Sequence, residues 1–487
     1  MFPYRRKFDL IFLLLLTACV RLLICVVTIN EPGDADARLV AAAEWALQPH
    51  LIYSGIWLPF HYYAMGTLMF VIGDPLTAGK VLSFVTGTLT IIPFFFLTEL
   101  LFDRRTAVVA GVFLAIYGNH VALSATTLAE APFGLLSVWA IYHFFRGMSV
   151  DRNQKTHFTW SAFLLALAGG FRQEAWQLTG ILSILLFFSR MTRKFAIPFA
   201  LLGLSTFFLW TLGNTLANKG VSYSLLAIAR LKQIQALYFG RGVLHNLVKW
   251  VWIFVRSPGP IISLFALLGL HSAAKSRNRS AILALIAALL LGPFVILSVV
   301  RPEWIPVHRY TFLFGILILP FAARALLNIW KNRPSLVALV VLVVIASIAS
   351  QVTAFGRHSR LHLPFRDYHA TDIDTWKWLA SNAVPEGRVL VEDSDWNVYG
   401  IILHSGLYRG EYVVVNTRQD EAKLRQIVDE TRPAMVVIHL PLTRWKFLEE
   451  NWHLVVLHRN KDYLIGRLKP KSEVSDAPGK ESVHSYK

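Results

Sequence analysis

Residues 33–39 read GDADARL and follow closely on a long apolar run, 8–29. Two carboxylates, Asp34 and Asp36, are thereby held beside a lipid boundary. Charge near hydrocarbon costs free energy, so residues kept there have a partner or a task. Alternate residues opening the helical segment DADARLVAAAEWALQ could converge on one substrate group. Equally, one of them could cap the helix, accepting orphan N–H bonds at the positive end of the dipole. Further along stand Lys80 after GDPLTAG, Glu130 in SATTLAEAPFG, Arg172 and Glu174 in GGFRQEAW, and Arg309 in RPEWIPVHRYTF. His61 and Trp57 share the stretch WLPFHYY. A carboxylate suits removal of a proton from an acceptor hydroxyl. A cation at membrane depth suits a phosphate, through charge-assisted donors and through the charge that develops on a departing phosphate. Carboxylates beside cations at that level fit transfer from a lipid-linked phosphate donor.

Each residue also has a plainer role open to it. Glu130 suits a helix N-terminus, and Arg172 with Glu174 suits a local ion pair. Lys80 and Arg309 can snorkel to headgroups. Trp57 and His61 can anchor an aromatic belt, and the lone histidines His120 and His308 read as interface packing. What favours a task for Lys80 and Arg309 is that external basic residues run against the usual bias of positive loops.

The elements that must position these groups follow from composition. The chain has 487 residues, 55% hydrophobic and only 16% charged, against about 25% in soluble domains. Apolar stretches of about 20 residues, enough to cross a bilayer, recur to about residue 355. Residues 356–487 carry 19 Lys and Arg and 18 Asp and Glu; residues 1–355 carry 29 and 12. The net charge of +18 therefore belongs almost wholly to the membrane part. It lies in short loops, which argues against a nucleic-acid partner. The N-terminus, MFPYRRKF, leads into about 22 apolar residues without a small-residue cleavage site, unlike a cleavable signal with its apolar region of about 7–15 residues. It reads as a retained first span with a cytoplasmic N-terminus. Further spans are expected over 76–99, 106–122, 130–146, 158–170, 175–189, 195–213, 250–271, 280–300, 308–328 and 335–354, eleven in all.

The segment 56–73 decides the orientation. If it does not span, the basic clusters at 104–105, 146–155, 190–194, 275–279 and 331–333 all share the side of Arg5, Arg6 and Lys7, which is the positive-inside pattern. If it spans, every one of them is translocated. Residues 30–75 thus form one external loop with two interfacial helices, 214–249 form a second, and the chain beyond 355 is external. The fold class expected is mainly α: a polytopic helical bundle, 1–355, with a small external α/β domain over 356–468 and a disordered tail, 469–487. The α/β expectation rests on DIDTWKWLAS, DEAKLRQIVDET and TRWKFLEEN as helices among the strands RVLVED, AMVVIHL, HLVVLHR and YLIGRL. Cys19 and Cys25 lie in the first apolar run and behave as small apolar residues. No zinc spacing, P-loop, dinucleotide fingerprint or internal repeat is present.

The order of motifs resembles the GT-C superfamily of integral-membrane glycosyltransferases. It looks closest to the branch of dolichyl-phosphate-mannose protein mannosyltransferases and bacterial aminoarabinose transferases. The similarity runs over roughly 8–330 and is one of order and spacing. A first span precedes an acidic motif, GDADARL; WLPFH stands where the family often has Pro-Pro-Leu; Lys80 in TAGKVLSFVTGTL stands where members carry Arg or Lys. LFDRRTAVVAGVFLAIYGNHVALSATTLAE matches the family's cytoplasmic turn, span and external acid, and FRQEAW resembles an Arg-x-Glu of related mannosyltransferases. Two departures stand out: Asp-Ala-Asp replaces the usual Asp-Glu, and LPFH lacks the second proline.

The resemblance implies a polyprenyl-phosphate sugar donor, a mannose-like hexose, and inverting transfer to an acceptor hydroxyl on protein, lipid or glycan. It makes Asp34 the leading base with Asp36 next, gives the donor phosphate to Lys80 and Arg309 with Arg172, and leaves Glu130, Glu174 and His61 to the substrate pocket. The scheme requires no cofactor, although some relatives with acidic clusters use a divalent metal. It implies a multi-pass protein of the plasma or inner membrane. Two other classes compete: a transporter or flippase for a lipid-linked sugar, disfavoured by the missing repeats and the scarcity of mid-span ionisable residues, and a scaffold acting through its tail domain.

Overall fold

The computed structural model describes residues 2–27, 34–149, 153–217, 220, 242–275, 279–301, 304, 306–329, 335, 338–346, 368–382, 387–393, 398–416, 421–440, 445–448 and 452–471. They are mainly helical, with one five-stranded sheet toward the C-terminus. The chain divides into two compact units, Met1–Asn30 with Pro49–Arg366, and Glu31–Gln48 with Asp367–Lys487.

The first unit holds α1 (Phe2–Val27) and, after α2 (Asp34–Leu47) of the other unit, α3 (Phe60–Ile72), α4 (Pro75–Leu89), α5 (Ile91–Leu101), α6 (Arg104–Ile116) and α7 (Gly118–Leu123). It continues with α8 (Glu130–Ser149), α9 (Gln154–Gly169), α10 (Glu174–Phe188), α11 (Ala196–Gly203) and α12 (Ser205–Leu216). The last are α13 (Val243–Arg256), α14 (Pro260–Lys275), α15 (Arg279–Val300) and α16 (Phe312–Ile329). Local chemistry sets several boundaries. Asp74 caps α4, accepting from the Thr77 amide at 2.7 Å with Pro75 at the first helical position. Asp103 caps α6 through the Thr106 amide at 2.8 Å. Gly73, at φ 78°, ends α3 in a conformation open to glycine.

By length and composition four helices suffice to cross a membrane: Arg6–Val26, Pro75–Leu101, Arg279–Val300 and His308–Ile329. Two bent pairs raise that to six if each is one span. The described residues thus give four to six by this measure, where eleven were expected, and three expected spans are interrupted. Over 250–271, α13 and α14 meet at 99°. The cause is Ser257-Pro258-Gly259-Pro260: proline removes N–H donors, and Gly259 sits at φ 93°. Over 106–122, Tyr117 adopts an extended conformation between α6 and α7. Arg21, fully buried in α1, replaces the lost helical donors there: its guanidinium reaches the Ala115 and Leu114 carbonyls at 3.4 and 3.5 Å. Over 195–213, α11 and α12 meet at 40°. Of 335–354, residues 338–346 are helical and most of the rest lie outside the described residues, as does 221–241 of the second expected loop.

The second unit combines α2 with α17 (Ala370–Ser381), β1 (Val389–Asp393), α18 (Val398–Ser405), β2 (Tyr412–Asn416), α19 (Glu421–Thr431), β3 (Met435–His439), β4 (Trp452–Arg459) and β5 (Tyr463–Pro470). The sheet order is β2-β1-β3-β5-β4; β1 runs parallel to β2 and β3, and β5 antiparallel to β3 and β4. The interior strand β1 is VLVED, buried at four of five positions, as a strand covered on both faces must be. Leu390, Val436 and Ile438 meet Leu424 and Val428 of α19 in the core, each such burial being worth about 1.5–3 kcal/mol. The buried Glu392 is satisfied by the His439 amide at 2.8 Å and the Trp445 indole at 2.9 Å.

The four expected strands and the helices over 370–381 and 421–431 are present; α18 and β2 were not anticipated. Residues 443–451 are described only at 445–448, and the expected disordered tail lies outside the described residues from 472 on. The division also differs from the expected one, which kept 30–75 with the membrane part and began the tail domain at 356. The reason is packing: α2 buries Ala35, Leu39, Ala42 and Ala43 and lies against α18 and the 3-10 turn Leu407–Arg409.

Candidate functional site

In the first unit the structure assembles four of the expected residues. Glu130 opens α8 and is completely buried, with its carboxylate at the positive helix end. Arg172 and Arg309 both donate to its Oε1, Arg309 through Nε at 2.5 Å. The Arg172 fork also holds Glu174, with Nε 3.1 Å from each carboxylate oxygen. Two guanidiniums and two carboxylates therefore form one cluster without net charge. Burial opposes the Arg172 charge, but Glu130 and then Glu174 overcome it and carry its pKa above the ordinary value. The local ion pair and the helix-terminal carboxylate weighed from the sequence are both present. Arg309 retains 26% side-chain exposure, more than Arg172 at 12%.

Backbone geometry brings these groups together. The turn between α9 and α10 presents Arg172, whose amide bonds to the Ala168 carbonyl at 3.0 Å. The start of α3 presses on that turn: the Phe60 amide donates to the Gly170 carbonyl at 3.1 Å, and a Cβ at Gly170 would stand 2.2 Å from Phe60 Cδ2. His61, also buried, meets the Phe171 ring edge-on at 6.4 Å. It is thus packed inside the protein, where an aromatic belt would leave it at the headgroups. The 3-10 turn His308–Thr311 presents Arg309, and Asn119 of α7 fixes it, donating to the His308 carbonyl at 2.9 Å. Asn119 escaped sequence analysis because nothing local marks a contact across 189 residues. Arg21 escaped as well; its Nη2 lies 2.5 Å from His120 Nδ1, and Ser124 lies 3.3 Å from the same nitrogen.

Lys80, in α4, belongs to the same unit. Its ammonium donates at 3.2 Å to the Cys25 carbonyl, in the last turn of α1, where a cation suits the negative helix end.

The two aspartates belong to the second unit and differ from each other. Asp36 is fully buried, and Tyr368 donates its hydroxyl to Oδ2 at 2.5 Å. Asp34 keeps 31% of its side chain exposed and lies 3.5 Å from Arg38 one turn on. Eight residues along α2 from Asp36, Glu44 accepts from Tyr412 at 2.5 Å. Both phenols are pushed far above their ordinary pKa, first by burial and then by their carboxylate partners. Glu31 and Glu303 lie outside the described residues. Among the described residues no group of three or more His, Cys, Asp and Glu side chains is close enough to hold a metal ion.

Residues 58–216 match the model of the family dolichyl-phosphate-mannose-protein mannosyltransferase. ArnT from Cupriavidus metallidurans, solved with undecaprenyl phosphate, is 13% identical with a TM-score of 0.66, over 93% of this chain and 97% of that one. The Archaeoglobus fulgidus oligosaccharyltransferase, tethered to an acceptor peptide with an NVT sequon, is 12% identical with a TM-score of 0.61, over 95% and 74%. AglB from the same organism, solved with an inhibitory peptide and a dolichol-phosphate, is 13% identical with a TM-score of 0.57, over 92% and 70%. No curated protein matches the sequence. At these identities the likeness is one of fold. The chain therefore shares the fold of these solved structures, and its residues 58–216 are similar to the mannosyltransferase family.

Proposed function

We propose that this protein is an inverting glycosyltransferase that moves a sugar, a mannose-like hexose, from a polyprenyl phosphate to an acceptor hydroxyl. The observation that carries this reading is the pair Arg172 and Arg309 converging on buried Glu130, in a fold shared with a protein solved with undecaprenyl phosphate. In the membrane unit, Arg309 and Lys80, with Arg172 behind, hold the donor phosphate and offset the charge it gains. Glu130 and Glu174 orient the guanidiniums, and His61 with Phe171 supports the turn that carries Arg172. In the other unit, Asp34 is the proton acceptor. The acceptor O–H gives its proton to that carboxylate, its oxygen bonds to the anomeric carbon, and the carbon–oxygen bond to phosphate breaks with its electron pair leaving on the phosphate. One displacement inverts the centre and releases polyprenyl phosphate.

We place the reaction on the external face of the plasma or inner membrane, with the N-terminus cytoplasmic. Loop charge supports that orientation. The test is mass spectrometry of lipid that co-purifies, followed by transfer assays with polyprenyl-phosphate sugars in detergent. A bound polyprenyl phosphate and transfer abolished by Asp34→Asn are expected. Full transfer by that variant would overturn the base assignment.

A further inference from the structure

A proton acceptor and a structural anchor make opposite demands on a carboxylate. The first needs access to substrate; the second needs a donor that never leaves. Asp36 meets the second demand. It has no exposed surface, and the Tyr368 hydroxyl sits 2.5 Å from its Oδ2. Tyr368 is itself locked, edge-on to Trp376 at 4.8 Å and to His404 at 5.6 Å. Gly400 of α18 leaves the room for both: a Cβ there would stand 2.6 Å from Tyr368 Cε1 and 3.1 Å from Asp36 Oδ2. The Tyr412–Glu44 contact repeats the device about 12 Å along α2. Two phenols thus grip one helix at two places. Residues two apart on a helix do not share a face, so fixing Asp36 inward turns Asp34 away from the anchor. Asp34 keeps its partial exposure and its Arg38 partner.

We infer that Asp36 and Tyr368 form a positioning latch that fixes α2 within the C-terminal unit and presents Asp34 as the single proton acceptor of the Asp-Ala-Asp pair. The inference rests on the proposed transfer for Asp34 and on geometry alone for the latch.

Two measurements on the full-length protein in detergent separate these: turnover with a polyprenyl-phosphate sugar, and hydrogen exchange of the amides over 34–47. Asp36→Asn keeps an oxygen that accepts from Tyr368. It should hold kcat within about fivefold of the parent and leave exchange unchanged, whereas Asp34→Asn should lose about 100-fold or more, the usual worth of a general base. Tyr368→Phe and Asp36→Ala remove one partner each. Both should speed exchange across α2 and lower kcat about tenfold or more while KM for the donor stays put, as expected when misplacement of a group spoils alignment. Loss of turnover in Asp36→Asn as deep as in Asp34→Asn, with exchange unaltered, would make Asp36 a catalytic base and overturn the latch. Unaltered exchange in Tyr368→Phe would overturn it too. If the parent transfers no sugar, the functional reading falls and the exchange result still decides the latch.

Discussion

Arg309 donates through Nε to Glu130 Oε1 at 2.5 Å, joining side chains 179 residues apart on an oxygen that Arg172 also uses. The guanidiniums expected to bind phosphate are therefore balanced by two carboxylates, the buried Glu130 and the half-buried Glu174. Under the proposed function, a donor phosphate competes with these carboxylates for the guanidiniums.

Removing Glu130 should be costly. Glu130→Ala leaves the Arg172 charge buried with only Glu174 beside it, and breaking a buried pair from one side costs about 3–5 kcal/mol. Thermal unfolding in detergent should show a clear fall in Tm, smaller for Glu130→Gln, which still accepts a hydrogen bond. Parent-like stability in the alanine variant would mean that the cluster is not held by this carboxylate.

Arg309 is the more exposed of the two guanidiniums and the better placed to meet a ligand. A hydrogen bond to a charged group is worth about 1.5–3 kcal/mol, so Arg309→Gln should raise KM for the donor about tenfold or more. Arg309→Lys should recover part of the loss, since lysine keeps the charge but not the fork. An unchanged KM in the glutamine variant would remove Arg309 from the phosphate site.

The contact of α14 with α16 depends on a missing side chain. A Cβ at Gly269 would stand 2.2 Å from the Phe321 carbonyl oxygen, a backbone atom that cannot swing aside. Close approach through small residues is how membrane helices pack. Gly269→Ala should lower both folded yield and Tm. Gly292→Ala in α15, with nothing within 4 Å of the new methyl, should be neutral or gain up to about 1 kcal/mol from helix propensity. Equal behaviour of the two variants would refute the contact.

In the C-terminal unit, Asp374 accepts from Asn460 at 2.9 Å and from His458 at 2.8 Å. First Asn460 and then His458 hold its carboxyl below the ordinary 3.8. A carboxyl depressed in the folded state adds stability above that ordinary value, lost as pH falls through the folded one. Acid titration of Tm should therefore be shallower below about pH 4 in Asp374→Asn. The effect is small, since half of this side chain faces solvent.

The sequence made local features legible. Asp74-Pro75 announces the start of α4, and the short β-branched apolar runs in VLVED and MVVIH announce β1 and β3. Candidate residues were also legible singly, because charge is rare in an apolar chain. Their partners were not. Asp36 and Tyr368 are 332 residues apart and Asn119 and His308 189, and periodicity carries no record of such pairings. The breaks inside expected spans were hidden for a related reason: hydropathy sums over a window and does not register Tyr117 or Gly259, where single backbone angles turn the chain. The signal in Ser257-Pro258-Gly259-Pro260 was present as turn chemistry.

Helix α2 is contributed to its unit by a segment that ends at Gln48, while the rest of that unit begins at Asp367. At about 5–20 residues per second, the ribosome takes roughly 15–60 s to make what lies between. During that interval the apolar face of α2 has no partner of its own unit. The acidic motif is therefore synthesised long before the elements that secure it, and its placement becomes a late checkpoint on the maturation of this unit.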